Sequence, residues 1–346
     1  MKTNLFGLFV EEIALAIKPH GLPKYRAAQI AVWIYGHGIN EFQHMTNLPV
    51  AQRLLLTEFF IINTVSVRAE QHSVDHKTSK YLLAFPDEVA VETVLMRQHY
   101  GNSVCVSTQV GCAMGCTFCA STLQGVTRDL TGGEILAQVL YLHRLLAAEQ
   151  SGVNTIVIMG SGEPLANYNN VLRFIRLCHE HYCMNLSYRN FTLSTCGLIP
   201  GMNQLADEGL PINLSISLHA PNNALRTNLM PVNKRYPLES VIAAADHYAA
   251  KTGRRVTYEY TLIANVNDTP EDAIQLSGLM KGHLASVNLI PVNPVPERGL
   301  LRPSNQRIVQ FEQILQSRHI NVTVRREMGV DIQAACGQLR HEVLGK

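Results

Sequence analysis

Between Ser103 and Arg326, seven short runs rich in β-branched residues alternate with segments of helical period. The runs are SVCVSTQV, NTIVIMG, NFTLST, INLSISLH, RRVTYEYTLI, SVNLIPVN and NVTVRR; the segments between them include GEILAQVLYLHRLLAAE and PLESVIAAADHYAA. Such runs predict strands, and the repeating strand–helix order predicts a parallel sheet with crossover helices, either doubly wound or a barrel. Polar residues favour the barrel. The cysteines at 112–119, Gly162-Glu163-Pro164, Ser194-Thr195, Ser217-Leu218-His219 and Asn293 each fall at or after the end of a successive predicted strand. A (β/α) barrel assembles its active site from such strand ends. Any one Ser or Asn there is equally a turn former; the recurrence along the chain is what points to a site.

Ahead of this alternation, residues 1–65 carry helical spacing, as in YRAAQIAVWIYGHGI and LPVAQRLLLTEFFII, and predict a small helical accessory domain. Residues 66–97, with SKYLLAF and VAVETVLM, predict a β-hairpin extension leading into a main domain over 98–346. The opening MKTNLFGLFVEEIALAI is interrupted by Glu11 and Glu12 before it reaches the length of a signal-peptide core, and no stretch approaches a membrane span. A cytoplasmic protein is expected, with its eight cysteines reduced and used for metal binding or catalysis. A formal net charge of +2 is too weak to announce a nucleic-acid binder, so any basic surface for RNA must be local.

Four cysteines fall in CVSTQVGCAMGCTFC, residues 105–119. Zinc prefers paired ligand motifs that complete a tetrahedron, whereas Cys112, Cys116 and Cys119 supply three thiols. Three thiolates on a [4Fe–4S] cubane leave one iron open to a small molecule, and Gly111 and Gly115 let the loop wrap closely. A structural zinc, or simply buried cysteines, is the plainer alternative. CHEHYC, residues 178–183, has two Cys and two His, but on a helix they point in different directions and are not expected to share an ion. Cys196 is expected to be a packing residue.

CxxxCxxC with Phe118 before the last cysteine resembles the signature of radical S-adenosylmethionine enzymes, and Gly162-Glu163-Pro164 resembles the motif by which they hold the methionine end of the cofactor. With GVDIQAACGQL (329–339) and YRAAQIAVWIY, the chain from about residue 23 to 340 resembles the adenosine-methylating RNA enzymes of the RlmN/Cfr family. Ser161 in MGSGEP departs from the Met often found there, while the flanking Gly162-Glu163-Pro164 is intact. The resemblance implies a partial (β/α)6-type radical SAM barrel with an N-terminal accessory domain that binds RNA. It implies a [4Fe–4S] cluster on Cys112, Cys116 and Cys119, and S-adenosylmethionine contacts at Gly162, Glu163, Ser194, Ser217, Leu218, His219 and Asn293. It also implies that Cys336 is S-methylated and then joined to RNA, that Cys105 resolves this adduct through a transient disulfide, and that Glu92 accepts a proton. Without the resemblance, Cys105 reads as a packed strand residue, Glu92 as a solvent-facing one and His219 as a core imidazole.

Carbon 2 of adenine is electron-poor and cannot attack a sulfonium methyl, which is why radical chemistry is required. The implied substrates are an adenosine in the peptidyl transferase region of 23S rRNA and the adenosine beside the anticodon in tRNA, each unstacked to reach the barrel mouth. Lys18, Lys24, Arg26, Arg254-Arg255 and Arg325-Arg326 are candidate phosphate contacts or plain solvated surface. A flavodoxin- or ferredoxin-type electron donor, a monomer and no membrane partner are expected. Trp33-Ile34-Tyr35 resembles the carbon-2 enzymes; the alternative is the antibiotic-resistance branch that methylates carbon 8 of the same rRNA base. Two other readings remain: a radical enzyme acting on a small molecule or activating a protein, and a zinc module that docks on RNA.

Overall fold

The computed structural model describes residues 2–293, residues 298–325 and Leu339. Cys336 and Arg326 lie outside the described residues. The strands Gly101–Cys105, Val153–Ile158, Phe191–Thr195, Asn213–Ser217, Val256–Leu262, Ala285–Pro291 and Val322–Val324 lie side by side in that order, all parallel. The crossovers carry helices Gly132–Ala148, Tyr168–His179, Ile199–Asp207, Leu238–Thr252, Pro270–Met280 and Asn305–Ser317. Local chemistry sets their ends. Thr131 and Glu134 form a reciprocal capping box at the first, Thr269 and Asp272 do so around Pro270, and Gly253 at φ +66° closes Leu238–Thr252.

Residues 66–97 do more than form one hairpin. Strands Ser66–His72, Thr78–Ala84 and Ala90–Gln98 run antiparallel, and the last pairs with Gly101–Cys105, so the extension and the parallel strands make one ten-stranded sheet among the described residues. Val322–Val324 and Ser66–His72 stand at its two edges, so the barrel is partial. The run SVCVSTQV is broken after Cys105, and Gln109–Gly111 pairs instead with Val126–Asp129 in a separate ribbon.

Pairing register sorts the sheet into two unlike faces, because directly paired residues share a face. Val94, Cys105, Val157, Thr192 and Asn213 are linked in one such series, and Ser217, Glu259, Asn288 and Thr323 in another on the same face. The opposite face carries Val104, Ile156, Phe191, Leu214, Tyr258 and Val287, which pack with the crossover helices in one continuous core. Apolar burial therefore drives the sheet against its helices, while the polar face lines the inside of the partial barrel.

The N-terminal unit joins that same core through Leu5, Ile13, Ile30 and Leu56, rather than standing apart from it. Gly7 at φ +89° is seated so close to helix Gly132–Ala148 that a Cβ would meet Gly133 Cα at 2.7 Å. Arg173 donates to the Gly7 carbonyl at 2.9 Å and pairs with Glu12, and Tyr35 hydroxyl donates to the Leu8 carbonyl at 2.7 Å. Tyr35 thus fixes the path of the chain at the joint, within the Trp33-Ile34-Tyr35 run.

Where the strands end, backbone groups leave the sheet while still buried, and side chains must satisfy them. Buried Gln138 accepts the Ser107 N–H and the Thr93 hydroxyl, both at 2.9 Å, and donates to the Ser107 carbonyl at 2.9 Å. Ser107 Oγ in turn donates to the Glu92 carbonyl at 2.7 Å and accepts the Ser161 N–H at 3.0 Å. Replacing Gln138 with Met keeps the volume and strands these buried partners. The expected loss is roughly 3 kcal/mol, read from denaturant unfolding; a loss below about 1 kcal/mol would show that the strand end is satisfied by other means.

Candidate active site at the carboxyl ends of the strands

The loop after Gln109–Gly111 carries Cys112 and Cys116, both buried, and Cys119, partly exposed. Gly111 at φ +82° lets the loop close back, with the Cys112 N–H donating to the Gly125 carbonyl at 3.0 Å, and a side chain at 111 would strike that same oxygen. Thr122 Oγ1 caps the carbonyls of Cys116 and Cys119 at 3.0 and 2.9 Å. Burial, followed by the neighbouring thiols, pushes Cys116 well above the ordinary range; Cys112 is pushed up to about 11, chiefly by burial. Among the described residues, no three Cys, His, Asp or Glu side chains are gathered tightly enough for a single ion. Three thiolates of a cubane each bind a different iron and leave the fourth open, so three cysteines carried on one loop suit a cluster. The buried hydroxyl of Ser121, two residues beyond Cys119, has no partner, which also fits a group seated in this loop.

The Gly162-Glu163-Pro164 turn lies against the start of that loop. Gly162 at φ +107° approaches Gln109, where a Cβ would meet Gln109 Cβ at 2.7 Å, and Gln109 Oε1 accepts the Glu163 N–H at 2.8 Å. The Glu163 carboxylate is buried and accepts from Leu165 N–H at 3.0 Å, Thr195 Oγ1 at 2.7 Å and Cys196 N–H at 2.8 Å. Burial raises its pKa and these bonds oppose the rise. Glu163 therefore clamps the next strand end and has limited lone-pair capacity left for a ligand. Ser194 and Ser217 hydroxyls face one another at 3.4 Å, Leu218 is buried, and Asn293 is exposed just past Ala285–Pro291.

His219 is a satisfied core imidazole beside the cysteine loop. It is buried at φ +59°, its Nδ1 accepts the Thr261 N–H at 2.9 Å, and its ring meets Phe118 of the cysteine loop edge-on at 4.7 Å. An accepting Nδ1 places the proton on Nε2. Asn267 Nδ2 donates to its carbonyl at 2.8 Å, and Glu259 carbonyl accepts the N–H groups of both Leu218 and His219 at 3.0 and 3.2 Å. Glu259 itself lies buried on the polar face, bonded through Oε2 to Asn288 Nδ2 at 2.7 Å.

Glu92 and Cys105 are both buried and share the polar face. Glu92 is not solvent-facing: it forms an ion pair with buried Lys80 at 3.3 Å. Since Ala90–Gln98 runs antiparallel to Gly101–Cys105, Glu92 lies level with the strand ends, beside Ser107. Lys80, Arg226, Gln138, Asn267 and Glu259 escaped the sequence reading. The available signal was a Lys or Glu inside an otherwise apolar strand, as in SKYLLAF and YEYTLI.

Two other groups are resolved differently. CHEHYC straddles the end of helix Tyr168–His179, with Cys178 in the core and His179 Nδ1 against the Leu186 carbonyl at 2.9 Å, so it gathers no metal set. Arg254 and Arg255 precede Val256–Leu262 at the opposite end of the barrel, and Arg254 is tied to Asn213 Oδ1; Arg325, by contrast, follows the end of Val322–Val324 on the site's side.

Burial, with a smaller push from Arg226, lowers the pKa of His219 to about 3. The unfolded chain then binds one more proton than the folded one between about pH 6.5 and 3, so stability falls as pH drops through that window. In denaturant unfolding followed against pH, His219→Gln should reduce the slope near pH 5 by about 1.4 kcal/mol per pH unit; an unchanged slope would show that His219 titrates normally.

The family model for the radical SAM superfamily matches residues 106–277, and that for the N-terminal domain of the ribosomal RNA large subunit methyltransferase matches residues 3–62. A probable dual-specificity RNA methyltransferase RlmN from Symbiobacterium thermophilum is 52% identical, covering 98% of this chain and 92% of that protein. Its counterpart from Geobacillus thermodenitrificans is 49% identical over 97% of this chain and 92% of its own length. The crystal structure of a radical SAM methyltransferase from Sphaerobacter thermophilus superposes with a TM-score of 0.93 at 44% identity, covering 97% of this chain and 98% of that one. The chain belongs to the RlmN family of RNA methyltransferases within the radical SAM superfamily, whose members use a [4Fe–4S] cluster and S-adenosylmethionine.

Proposed function

We propose that this chain methylates carbon 2 of adenosine in 23S rRNA and in tRNA, with a cysteine as methyl carrier. One observation carries the reading. Leu339, three residues beyond Cys336, is buried against Leu82, Ala84 and Ala90, and pairing places Leu82 opposite Glu92 and Ala84 opposite Ala90 on the face that also holds Cys105. Leu339, Glu92 and Cys105, from distant parts of the chain, are thus drawn to one end of one sheet face, which supports a role for the segment carrying Leu339 beside Glu92 and Cys105. Relatives named as dual-specificity RNA methyltransferases support more than one RNA target, and the match of residues 3–62 to a ribosomal RNA methyltransferase domain suits rRNA as one of them.

Cys112, Cys116 and Cys119 would hold the cluster, and Gly162, Glu163, Ser194, Ser217, Leu218, His219 and Asn293 would hold S-adenosylmethionine. When bound, these supply a methyl group and a carbon-centred radical. Cys336 takes the methyl group; once one hydrogen atom of that thiomethyl has been given up to the radical, its carbon bonds carbon 2, and the surplus electron of the adduct would pass back to the oxidised cluster. Glu92, paired with Lys80, receives the carbon-2 proton. Cys105 then attacks the sulfur of Cys336; the bond from that sulfur to the transferred carbon breaks, the carbon takes a proton to become methyl, and a disulfide forms. His219, neutral with its proton on Nε2, offers a donor at the rim without adding charge.

The N-terminal unit would meet RNA through exposed Lys18 and Lys24 and the exposed Tyr25 ring, over which the Arg26 guanidinium lies at 4.9 Å. Among the described residues no helix is long and apolar enough to cross a membrane. The reading includes a monomeric cytoplasmic enzyme supplied with electrons by a flavodoxin- or ferredoxin-type donor.

The test is anaerobic reconstitution with rRNA and tRNA, a reductant and S-adenosylmethionine, with digested nucleosides separated against authentic standards. 2-Methyladenosine from both RNAs is expected; 8-methyladenosine would move the chain to the resistance branch, and no methylated adenosine with an intact cluster would sink the reading. Cys336→Ala should abolish product. Cys105→Ala should leave a covalent protein–RNA species on denaturing gels, and free turnover by that variant would remove its assigned role.

A further inference from the structure

Arg226, in helix Asn223–Leu229, is fully buried, yet all the acceptors it uses are neutral. Its Nε donates to the Leu218 carbonyl at 3.2 Å, Nη1 to Asn233 Oδ1 at 2.7 Å and Tyr236 carbonyl at 3.4 Å, and Nη2 to the carbonyls of Cys196 and Ser217 at 2.7 and 3.3 Å. Among the described residues it makes no ion pair. Glu163 meets the same Cys196 at its N–H and its thiol, not at the carbonyl that Arg226 holds. Burying a cation without an anion costs several kcal/mol, and neutral amide donors would bond these carbonyls without that penalty. The charge itself therefore calls for a reason.

The cysteine loop lies against this helix. Thr117 N–H, one residue past Cys116, donates at 2.9 Å to the carbonyl of Leu229, three residues along the helix from Arg226. Cys116 packs in one cluster with Cys196, Leu229 and Met230, and a Cβ on Gly115 would lie 3.6 Å from Pro231 Cγ. Arg226 Nη2 holds the Cys196 carbonyl and Cys196 packs with Cys116, so one residue separates the guanidinium from the thiol loop. Three thiolates on an oxidised cubane leave a net charge of about −1, and one-electron reduction takes it to about −2.

We propose that Arg226 is the counter-cation of the iron–sulfur cluster, stabilising its reduced state and so raising its reduction potential. The proposal rests on the assignment of Cys112, Cys116 and Cys119 as ligands. One electron enters from the external donor and stays on the cluster, and Arg226 acts on that charge through space without taking up or releasing a proton.

The test compares reconstituted parent, Arg226→Lys and Arg226→Gln full-length proteins by iron and sulfide content and by redox titration followed with electron paramagnetic resonance. Arg226→Gln should lower the midpoint by about 59 mV, a tenfold change in the one-electron equilibrium, while Arg226→Lys should move it by less than half as much. Failure of Arg226→Gln to take up the cluster, with uptake kept in Arg226→Lys, would support the same role. An unchanged midpoint in Arg226→Gln, equal shifts in both variants, or equal loss of the cluster in both would overturn it, since hydrogen bonding alone would then account for the residue. Cys116→Ala separates the underlying assignment: full iron and sulfide in that variant would remove the ligand set and the proposal with it.

Discussion

The site depends on a requirement that has nothing to do with catalysis. Each strand must end, and at its end peptide groups lose their sheet partners while still enclosed by protein. Here buried side chains take over that duty. Gln138 closes the first strand end around Ser107, Asn167 reaches the carbonyls of Thr108 and Leu130 at 2.9 and 2.7 Å, and Asn267 binds the carbonyls of His219 and Thr261 at 2.8 and 2.6 Å. Glu163 and Arg226 do the same from opposite ends of Cys196. Because leaving any of these groups unpaired is costly, the loops between the strands have little freedom. A rigid rim is what a loop of three thiols needs if it is to grip a cluster.

The two faces of the sheet divide the remaining work. The helix side is apolar and continuous with the N-terminal unit, so burial holds the accessory helices and the barrel in one core. The inner side is lined by Ser, Thr, Asn and two carboxylates, and only a sheet whose stability comes from the other side can carry so many polar groups. Extending the parallel strands by three antiparallel ones continues the polar face outward. The Lys80–Glu92 pair and the seat of Leu339 occupy that continuation, next to Cys105 on the first parallel strand. The extension therefore belongs to the site's architecture and not to a linker.

Much of this was legible in the chain. The parallel strands were visible because β-branched runs alternate with helical segments, and the cysteine loop because CxxxCxxC is compact in sequence. Arg226, Gln138 and Lys80 were hidden because their meaning lies in burial. An Arg in NALRTNL or a Gln in EILAQVL looks like helix surface until the fold encloses it. Arg254 shows the converse, since a basic pair suggestive of phosphate lies at the far end of the barrel, bonded to Asn213. CHEHYC has the composition of a ligand set, but the helix ends at His179 and divides its members.

The sequence by itself determined the order of strands and helices, the thiols of the cluster loop and the turns at Gly111 and Gly162, because each depends on residues close together in the chain. Tertiary structure alone decided that Glu92 and Cys105 share a face, that Leu339 is seated beside them, and that His219 rests on Phe118. Those relations depend on strand register and on which groups are sealed from water. Both are properties of packed neighbours that the linear chain does not contain.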